Sequence, residues 1–246
     1  MHIIASGSKG NASIIYNNDT TLLIDNGLSK KRLILGFNEI NKSINSLTAF
    51  LITHDHCDHI SGASFIPLGK RYARKGTILL SPGHELELFN AYIFGSIQVT
   101  VLQTSHDAIS PCGFLFRDLN DDDTILYMTD TGYIPKKSIK YMRNCVNYFI
   151  ESNHNVDMLL DSKRPESVKH RIISNIGHLS NEQCADYLSN LIGNKTKNIK
   201  LAHLSEECNK PEIALSTIAN KLKEAGYVLE NLHISCANQW ESSDLC

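Results

Sequence analysis

Thr53-His54-Asp55-His56-Cys57-Asp58-His59, directly after the apolar run Ala49-Phe50-Leu51-Ile52, is the stretch whose reading decides this chain. Three imidazoles and two carboxylates in one short run serve neither a core nor a plain surface, but they suit metal ions. At an extended strand end, positions two apart point the same way. His54 and His56 can therefore share one metal, while Asp58 and His59, on the following turn, reach a second. A structural zinc site would close four ligands around the ion and draw on Cys pairs, which are missing here.

Further metal-binding chemistry stands just past other apolar strands. Thr104-Ser105-His106-Asp107 follows residues 97–102, Thr129-Asp130-Thr131-Gly132-Tyr133 follows residues 124–128, and Leu201-Ala202-His203-Leu204-Ser205 closes a late strand. A carboxylate can bridge two cations held about 3.5–4 Å apart, the spacing of two-metal hydrolases, and Asp130 is the expected bridge. The first metal is then expected to take His54, His56, His106 and Asp130, and the second Asp58, His59, Asp130 and His203. His178, in Gly177-His178-Leu179-Ser180-Asn181, lies before a helix that Ser180 can cap, and both ligand sets are complete without it. An uncommitted histidine beside a metal site can protonate a leaving alkoxide, with Glu151 at a strand end fixing its tautomer. A histidine with no catalytic part is the alternative reading of the same residues.

The 246 residues suffice for one large core, and without a repeat or linker the chain reads as a single domain, 1–246. A formal charge of -2 excludes a globally basic nucleic-acid coat, so a polyanion must be met by local patches. Candidates are Lys30-Lys31-Arg32, Lys70-Arg71 with Arg74-Lys75, and Lys163-Arg164 with Lys169-His170-Arg171, although each also suits a solvated face. Seven Cys without a CxxC pair point to reduced thiols. The N-terminus does not read as a secretory signal and no run approaches transmembrane length, so a soluble, cytoplasmic protein with no membrane partner is expected.

Residues 2–6, 13–16, 21–25 and 47–53 read as strands, followed by 77–81 and 96–104. Helices are expected at 29–37, 59–68 and 82–94. In the second half, strands at 113–118 and 124–129 flank the turn Asn120-Asp121-Asp122-Asp123, with further strands at 147–151 and 199–203. Helices are expected at 138–143, at 180–192 with Cys184, Leu188, Leu191 and Ile192 on one face, and at 211–225, with Pro211 at its start and Gly226 at its end. Two strand-rich halves, each followed by helices, suggest α/β architecture with sheet packed on sheet and helices outside.

The HxHxDH run resembles the signature of the metallo-β-lactamase superfamily, and the likeness extends over nearly the whole chain. Its finer features are similar to the YycJ/WalJ-like subgroup, which includes exonucleases. They are Ser6-Gly7-Ser8-Lys9-Gly10-Asn11, Leu23-Ile24-Asp25-Asn26-Gly27-Leu28-Ser29, Ser105-His106-Asp107-Ala108, Glu151-Ser152-Asn153-His154, the His178 motif and Ala202-His203-Leu204-Ser205-Glu206. The resemblance implies an αββα sandwich of two mixed sheets with outer helices and a dinuclear site at the strand ends. It also implies the ligand sets given above, with His178 and Glu151 as the proton-donating pair and Asp58 counted with the catalytic residues. Two divalent metal ions are implied, Zn or Mn, with Fe also accommodated.

The expected activity is metal-dependent phosphodiester hydrolysis by a metal-bridging hydroxide, in a 5′-to-3′ exonuclease with DNA as partner. Asp25 and the loop 6–11 are expected to support the ligands, with backbone N–H groups of that loop meeting a phosphate or simply closing a tight turn. Thioester or lactam hydrolysis uses the same fold and metals, and a metal-stabilised regulatory protein is a further alternative. Two positions depart from the subgroup. Cys57 stands where a small hydroxyl residue is usual, and a buried thiol is expected there. Asn155 stands where an Asp often follows, which bears on loop support. The space between Asp130 and His203 holds no large inserted domain, and no tRNA-gripping arm is visible, which disfavours long RNA-processing substrates.

Overall fold

The structure is a computed structural model and describes residues 1–245. Its first sheet takes β1 (His2–Ala5), β2 (Ala12–Tyr16), β3 (Thr21–Ile24), β4 (Ala49–Leu51), β5 (Arg71–Arg74) and β6 (Glu85–Leu86). The second takes β7 (Ala91–Phe94), β8 (Ile97–Gln103), β9 (Cys112–Asp118), β10 (Thr124–Met128), β11 (Asn147–Glu151), β12 (Asn198–Ala202) and β13 (His233–Cys236). A last strand, β14 (Ser243–Asp244), returns to the first sheet beside β1. The helices are α1 (Lys30–Glu39), α2 (Cys57–Ile60), α3 (Lys136–Met142), α4 (Val156–Asp161), α5 (Glu166–Ile173), α6 (Asn181–Leu191) and α7 (Pro211–Glu224).

Both sheets are mixed and follow one plan. In the first, β14, β1, β2 and β3 are antiparallel neighbours and β3 to β6 run parallel. In the second, β7 to β10 are antiparallel and β10 to β13 parallel. The parallel strands β3, β4, β11 and β12 are buried on both faces, which is why they read as continuous apolar runs. Their period of two sorts the side chains into layers. Ile3, Leu22, Ile24 and Leu51 meet Val99, Phe114, Tyr127 and Phe149 between the sheets. Ile4, Leu23 and Phe50 point outward to Leu33 and Phe37 of α1, and Leu126, Tyr148 and Leu201 point outward to Leu188 and Ile218 of α6 and α7. The result is the expected αββα sandwich.

Ser180 caps α6 in a reciprocal capping box with Gln183, and Gly226 leaves α7 at φ 86°, where a Cβ would be strained. Residues 77–94 depart from expectation. No strand forms at 77–81 and no helix at 82–94, where β6 and β7 lie instead. Pro82-Gly83 breaks the helix, and Phe94-Gly95-Ser96-Ile97, with Gly95 at φ 58°, turns β7 back on β8 as a hairpin. The expected helix at 59–68 is only the short α2, starting at Cys57 and followed by single 3₁₀ turns, because Gly62 lies against Asn26 and Pro67 interrupts the ladder. Strand β5, with its two arginines, and helices α4 and α5 carried no apolar pattern strong enough to be read.

Candidate metal centre

The site lies where strands of both sheets end. Asp25 follows β3, Thr53 and His54 follow β4, Asp130 follows β10, and His203 follows β12, while Glu151 is the last residue of β11. Crevices at the carboxyl ends of parallel strands are the usual ligand sites of α/β sheets. Three of these residues turn the chain off its strand in the left-handed region, Asp25 at φ 54°, Asp130 at 53° and His203 at 54°. Such a conformation costs a non-glycine residue of order 1 kcal/mol and persists where surrounding bonds over-determine it. Asp25 shows how: its buried carboxylate accepts from Thr53 N–H at 2.8 Å, from Thr53 Oγ1 at 2.8 Å and from His59 Nδ1 at 2.8 Å.

Each histidine has one ring nitrogen tied back into the fold, which leaves the other for a ligand, except that the Asn11 amide also meets His59 Nε2. His59 Nδ1 donates to Asp25, His106 Nδ1 to the Gly177 carbonyl at 3.0 Å, and His203 Nδ1 to Glu151 at 3.0 Å. His54 Nδ1 bonds Thr53 Oγ1 at 3.0 Å. His56 is tied by the other nitrogen, with Nε2 on the Asp107 carbonyl at 3.2 Å, which leaves Nδ1. The remaining atoms converge. His54, His56 and His106 offer ligand atoms within 4.8 Å of one another, as do Asp58, His59 and His203, and Asp130 groups with His54 and His59. His54 Nε2, His106 Nε2, His203 Nε2 and Asp130 Oδ2 are buried without a hydrogen-bond partner. Buried polar atoms left so cost about 1–3 kcal/mol each, and their convergence is what divalent cations would satisfy. The residues therefore fit metal.

The charges fit as well. Burial holds His54 well below the ordinary imidazole value, and His106 below it, so both offer lone pairs at neutral pH. Burial alone would also depress His59 and His203. Asp25 and Asp130 outweigh it at His59, which is pushed up to about 9, and Asp130 and Glu151 outweigh it at His203, which reaches about 10. Burial would raise Asp130, but four surrounding imidazoles, His203 foremost, hold it well below the carboxylate range. This is a negatively charged pocket that protons occupy when cations do not.

His178 donates Nδ1–H to Glu151 Oε1 at 2.8 Å, beside His106 and His203, with ring centroids 5.0 and 5.1 Å away. Glu151 is fully buried. The same oxygen accepts from His203, and Oε2 accepts the backbone N–H groups of Thr131 at 3.0 Å and Leu179 at 3.1 Å. Against the effect of burial, His178 and His203 bring it down to about 2.

All the expected ligands, with His178 and Glu151, come together. Sequence reading missed the second imidazole on Glu151. It also missed Asn11, whose amide reaches His59 Nε2 at 3.0 Å and Asp58 Oδ2 at 3.2 Å, and Asn153, which binds the His203 carbonyl at 2.8 Å. The motifs containing both Asn residues were the available signal. One expectation is corrected, and two that left alternatives open are narrowed. Cys57 is exposed, not buried, because helix α2 begins at that residue and the strand alternation has already ended. The loop 6–11 is a tight turn: the N–H groups of Ser6, Gly7, Lys9, Gly10 and Asn11 all bond within the protein. Of the basic patches, Arg32, Arg71 and Arg74 bond carbonyls and Lys169 is buried, while Arg171 pairs with Asp107 at the rim of the site. Asn155 accepts Met158 N–H at 3.0 Å and caps α4, a role that Asn and Asp fill alike.

This fold with these ligand clusters defines a class, and residues 20–198 match the family described as the beta-lactamase superfamily domain, to which the chain belongs. Within it the chain is 36% identical to exodeoxyribonuclease WalJ of Streptococcus pneumoniae, over 91% of this chain and 88% of that protein. It is 33% identical to exodeoxyribonuclease YycJ of Bacillus anthracis, over 92% of this chain and 89% of the relative. Among solved structures, the metallo-beta-lactamase fold protein YhfI from Bacillus subtilis superposes with a TM-score of 0.66 at 14% identity, covering 98% of both chains, a likeness of fold.

Proposed function

We propose that the chain is a dinuclear metal-dependent phosphodiesterase, a DNA exonuclease working from the 5′ end, as one cytoplasmic domain. The observation that carries this is the His178–Glu151 pair set beside two ligand clusters, since a buried carboxylate that orients a free imidazole is what a leaving alkoxide needs. The exodeoxyribonuclease names of relatives aligned over nearly their whole length supply the substrate class.

In this reading His54, His56, His106 and Asp130 hold one ion, and Asp58, His59, Asp130 and His203 the other. His/Asp donors suit Zn or Mn, and Fe as well. When bound, the ions supply Lewis acidity toward the phosphoryl oxygens and a nucleophile at neutral pH. The protein's own part is positional. Asp25, Thr53, Gly177 and Glu151 fix the ligand tautomers, and Asn11 braces Asp58 and His59. His178, its Nδ1–H held by Glu151, would give its Nε2 proton to the departing oxygen and be left neutral, Glu151 stabilising the imidazolium from which that proton leaves. A thiolate leaves without a proton, so thioester hydrolysis would give this pair nothing to do. A purely regulatory protein would have no reason to keep every ligand.

The test is product mapping. Metal-loaded protein is incubated with single- and double-stranded DNA and RNA labelled at either end. Stepwise release of the 5′ label from DNA is expected. Release of the 3′ label first, or cleavage of RNA alone, overturns the polarity or the substrate; thioester turnover with no nucleic-acid cleavage overturns the function.

A further inference from the structure

The chain has a single tryptophan, Trp240, and it stands on the surface beside the proposed reaction centre. It is 59% exposed and belongs to none of the hydrophobic clusters of the described residues. Polar contacts hold it instead. Its backbone N–H donates to Asn238 Oδ1 at 2.8 Å, its carbonyl accepts from Arg32 Nη2 at 2.9 Å, and its indole N–H donates to Glu206 Oε1 at 2.6 Å. Lys9 Nζ lies 4.9 Å from the ring centroid and 2.7 Å from Glu206 Oε2, so cation, indole and carboxylate lock one another. A large aromatic surface kept rigid and wet serves no packing purpose, and pre-organised aromatics are what binding surfaces use.

Its position ties it to the site. Ser6 N–H donates to the Asn238 carbonyl at 3.0 Å, and Ser6 Oγ accepts the N–H of His203 at 2.9 Å. Gln239 bonds Lys9 N–H at 2.9 Å and the Gly10 carbonyl at 3.1 Å, in the loop whose last residue, Asn11, braces Asp58 and His59. Trp240 is thus one residue from the scaffold of the Asp58–His59–His203 cluster. Two adjoining clefts of about 280 Å³ each, one of them lined by Trp240, share Leu204, Ser205, Glu206 and Gln239. Lys210 lines one cleft with Trp240 itself, and Lys9 and Arg164 line the other. Glu206 and Glu207 pair with Lys9 and Arg164 through exposed salt bridges, which are weak enough for a phosphate to displace.

Resting on the phosphodiesterase reading, we propose that Trp240 is a stacking platform for an unpaired nucleobase of the substrate strand. It lies on the Asp58–His59–His203 side of the scissile bond, with Lys9, Arg164 and Lys210 meeting the neighbouring phosphates. Stacking on an aromatic face tolerates any base and needs the base unpaired, so the subsite selects single-stranded ends without reading sequence.

The lone tryptophan is its own reporter. Oligothymidylate added to chelator-treated protein should quench the indole fluorescence and protect it from acrylamide. Trp240→Ala should bind the oligonucleotide about 5- to 150-fold more weakly, as loss of one stacked base implies, while Trp240→Phe should recover much of the loss. With metal restored, the loss should fall on KM for oligonucleotides more than on kcat. Lys9→Ala should lower the salt dependence of binding by about one counterion. Unquenched fluorescence at saturating oligonucleotide, or equal affinity in Trp240→Ala, overturns the subsite. Wild-type protein that cleaves neither DNA nor bis(4-nitrophenyl) phosphate, a diester without a base, overturns the phosphodiesterase reading instead, so the two failures are distinguishable.

Discussion

Glu151→Gln probes a consequence of the geometry that the residue's sequence position does not suggest. Glu151 receives four hydrogen bonds, His178 and His203 on one oxygen and the backbone N–H groups of Thr131 and Leu179 on the other. Glutamine keeps one acceptor oxygen and turns the other into a donor. If the new NH₂ faces the backbone, two buried N–H groups lose their acceptor at about 1–3 kcal/mol each, about 2–6 kcal/mol together. If it faces the imidazoles, His178 and His203 can each move the proton from Nδ1 to Nε2 and accept instead. The second arrangement is the cheaper, but it fixes a proton on His203 Nε2, the atom that would join Asp58 and His59 on a metal. Metal affinity of that cluster should fall about 10- to 100-fold, the usual cost of losing a partner that orients a ligand. The His54–His56–His106 cluster, which Glu151 does not bond, should keep its affinity. Competition against a chromogenic chelator resolves the two affinities. If both are unchanged and only the rate falls, Glu151 serves His178 alone and the double role assigned to it is wrong.

His178→Ala should retain its metals and lose about 10²- to 10⁴-fold in rate on DNA, with a smaller loss on a nitrophenyl diester whose leaving group needs no proton; equal losses on both would exclude a general acid. Metal uptake at pH 7.5 should release protons from His59 and His203, which the metal-free pocket holds up to about 9 and about 10; calorimetry in buffers of different ionisation heat measures the number released. Because those values are raised above the unfolded imidazole value of 6.5, the stability they contribute to the metal-free protein is fully present below pH 6.5 and lost as pH rises through 9 and 10. The melting temperature of the metal-free protein should fall over that interval, and a flat profile would contradict the pairing. Gly27→Ala should destabilise by about 3 kcal/mol and disturb metal binding, since a Cβ there would lie 1.8 Å from the Asp58 carbonyl; denaturant unfolding checks it.

Much of the site was legible because its ligands follow apolar strands, so motif and strand end coincide at His54, His106, Asp130 and His203. What escaped depends on which strands become neighbours. Glu151 reaches His203 because β11 pairs with β12 in parallel, setting Glu151 beside Ala202. Asn238 reaches Ser6, and Trp240 reaches Lys9, because β13 adds to the same sheet and the chain then crosses to the loop after β1. Neither register is written in local sequence. The errors at residues 77–94 are of another kind, since apolar residues spaced for a helix also suit two short strands at a sheet margin. The hairpin signal at Gly95-Ser96 was the better guide. Cys57 was misplaced by carrying strand alternation past the point where the backbone turns into α2.

The central claim is that phosphodiester cleavage belongs to ions held by the two clusters around Asp130. The most direct measurement strips the protein with chelator, restores Mn or Zn in steps, and follows release of a 5′-labelled nucleotide from single-stranded DNA against metal bound per chain. Cleavage absent in the stripped protein, restored as metal binds, and lost with both ions in Asp130→Ala is the predicted result. Cleavage that persists in the stripped protein, or an Asp130→Ala variant that binds both ions as tightly as the parent, would contradict the account.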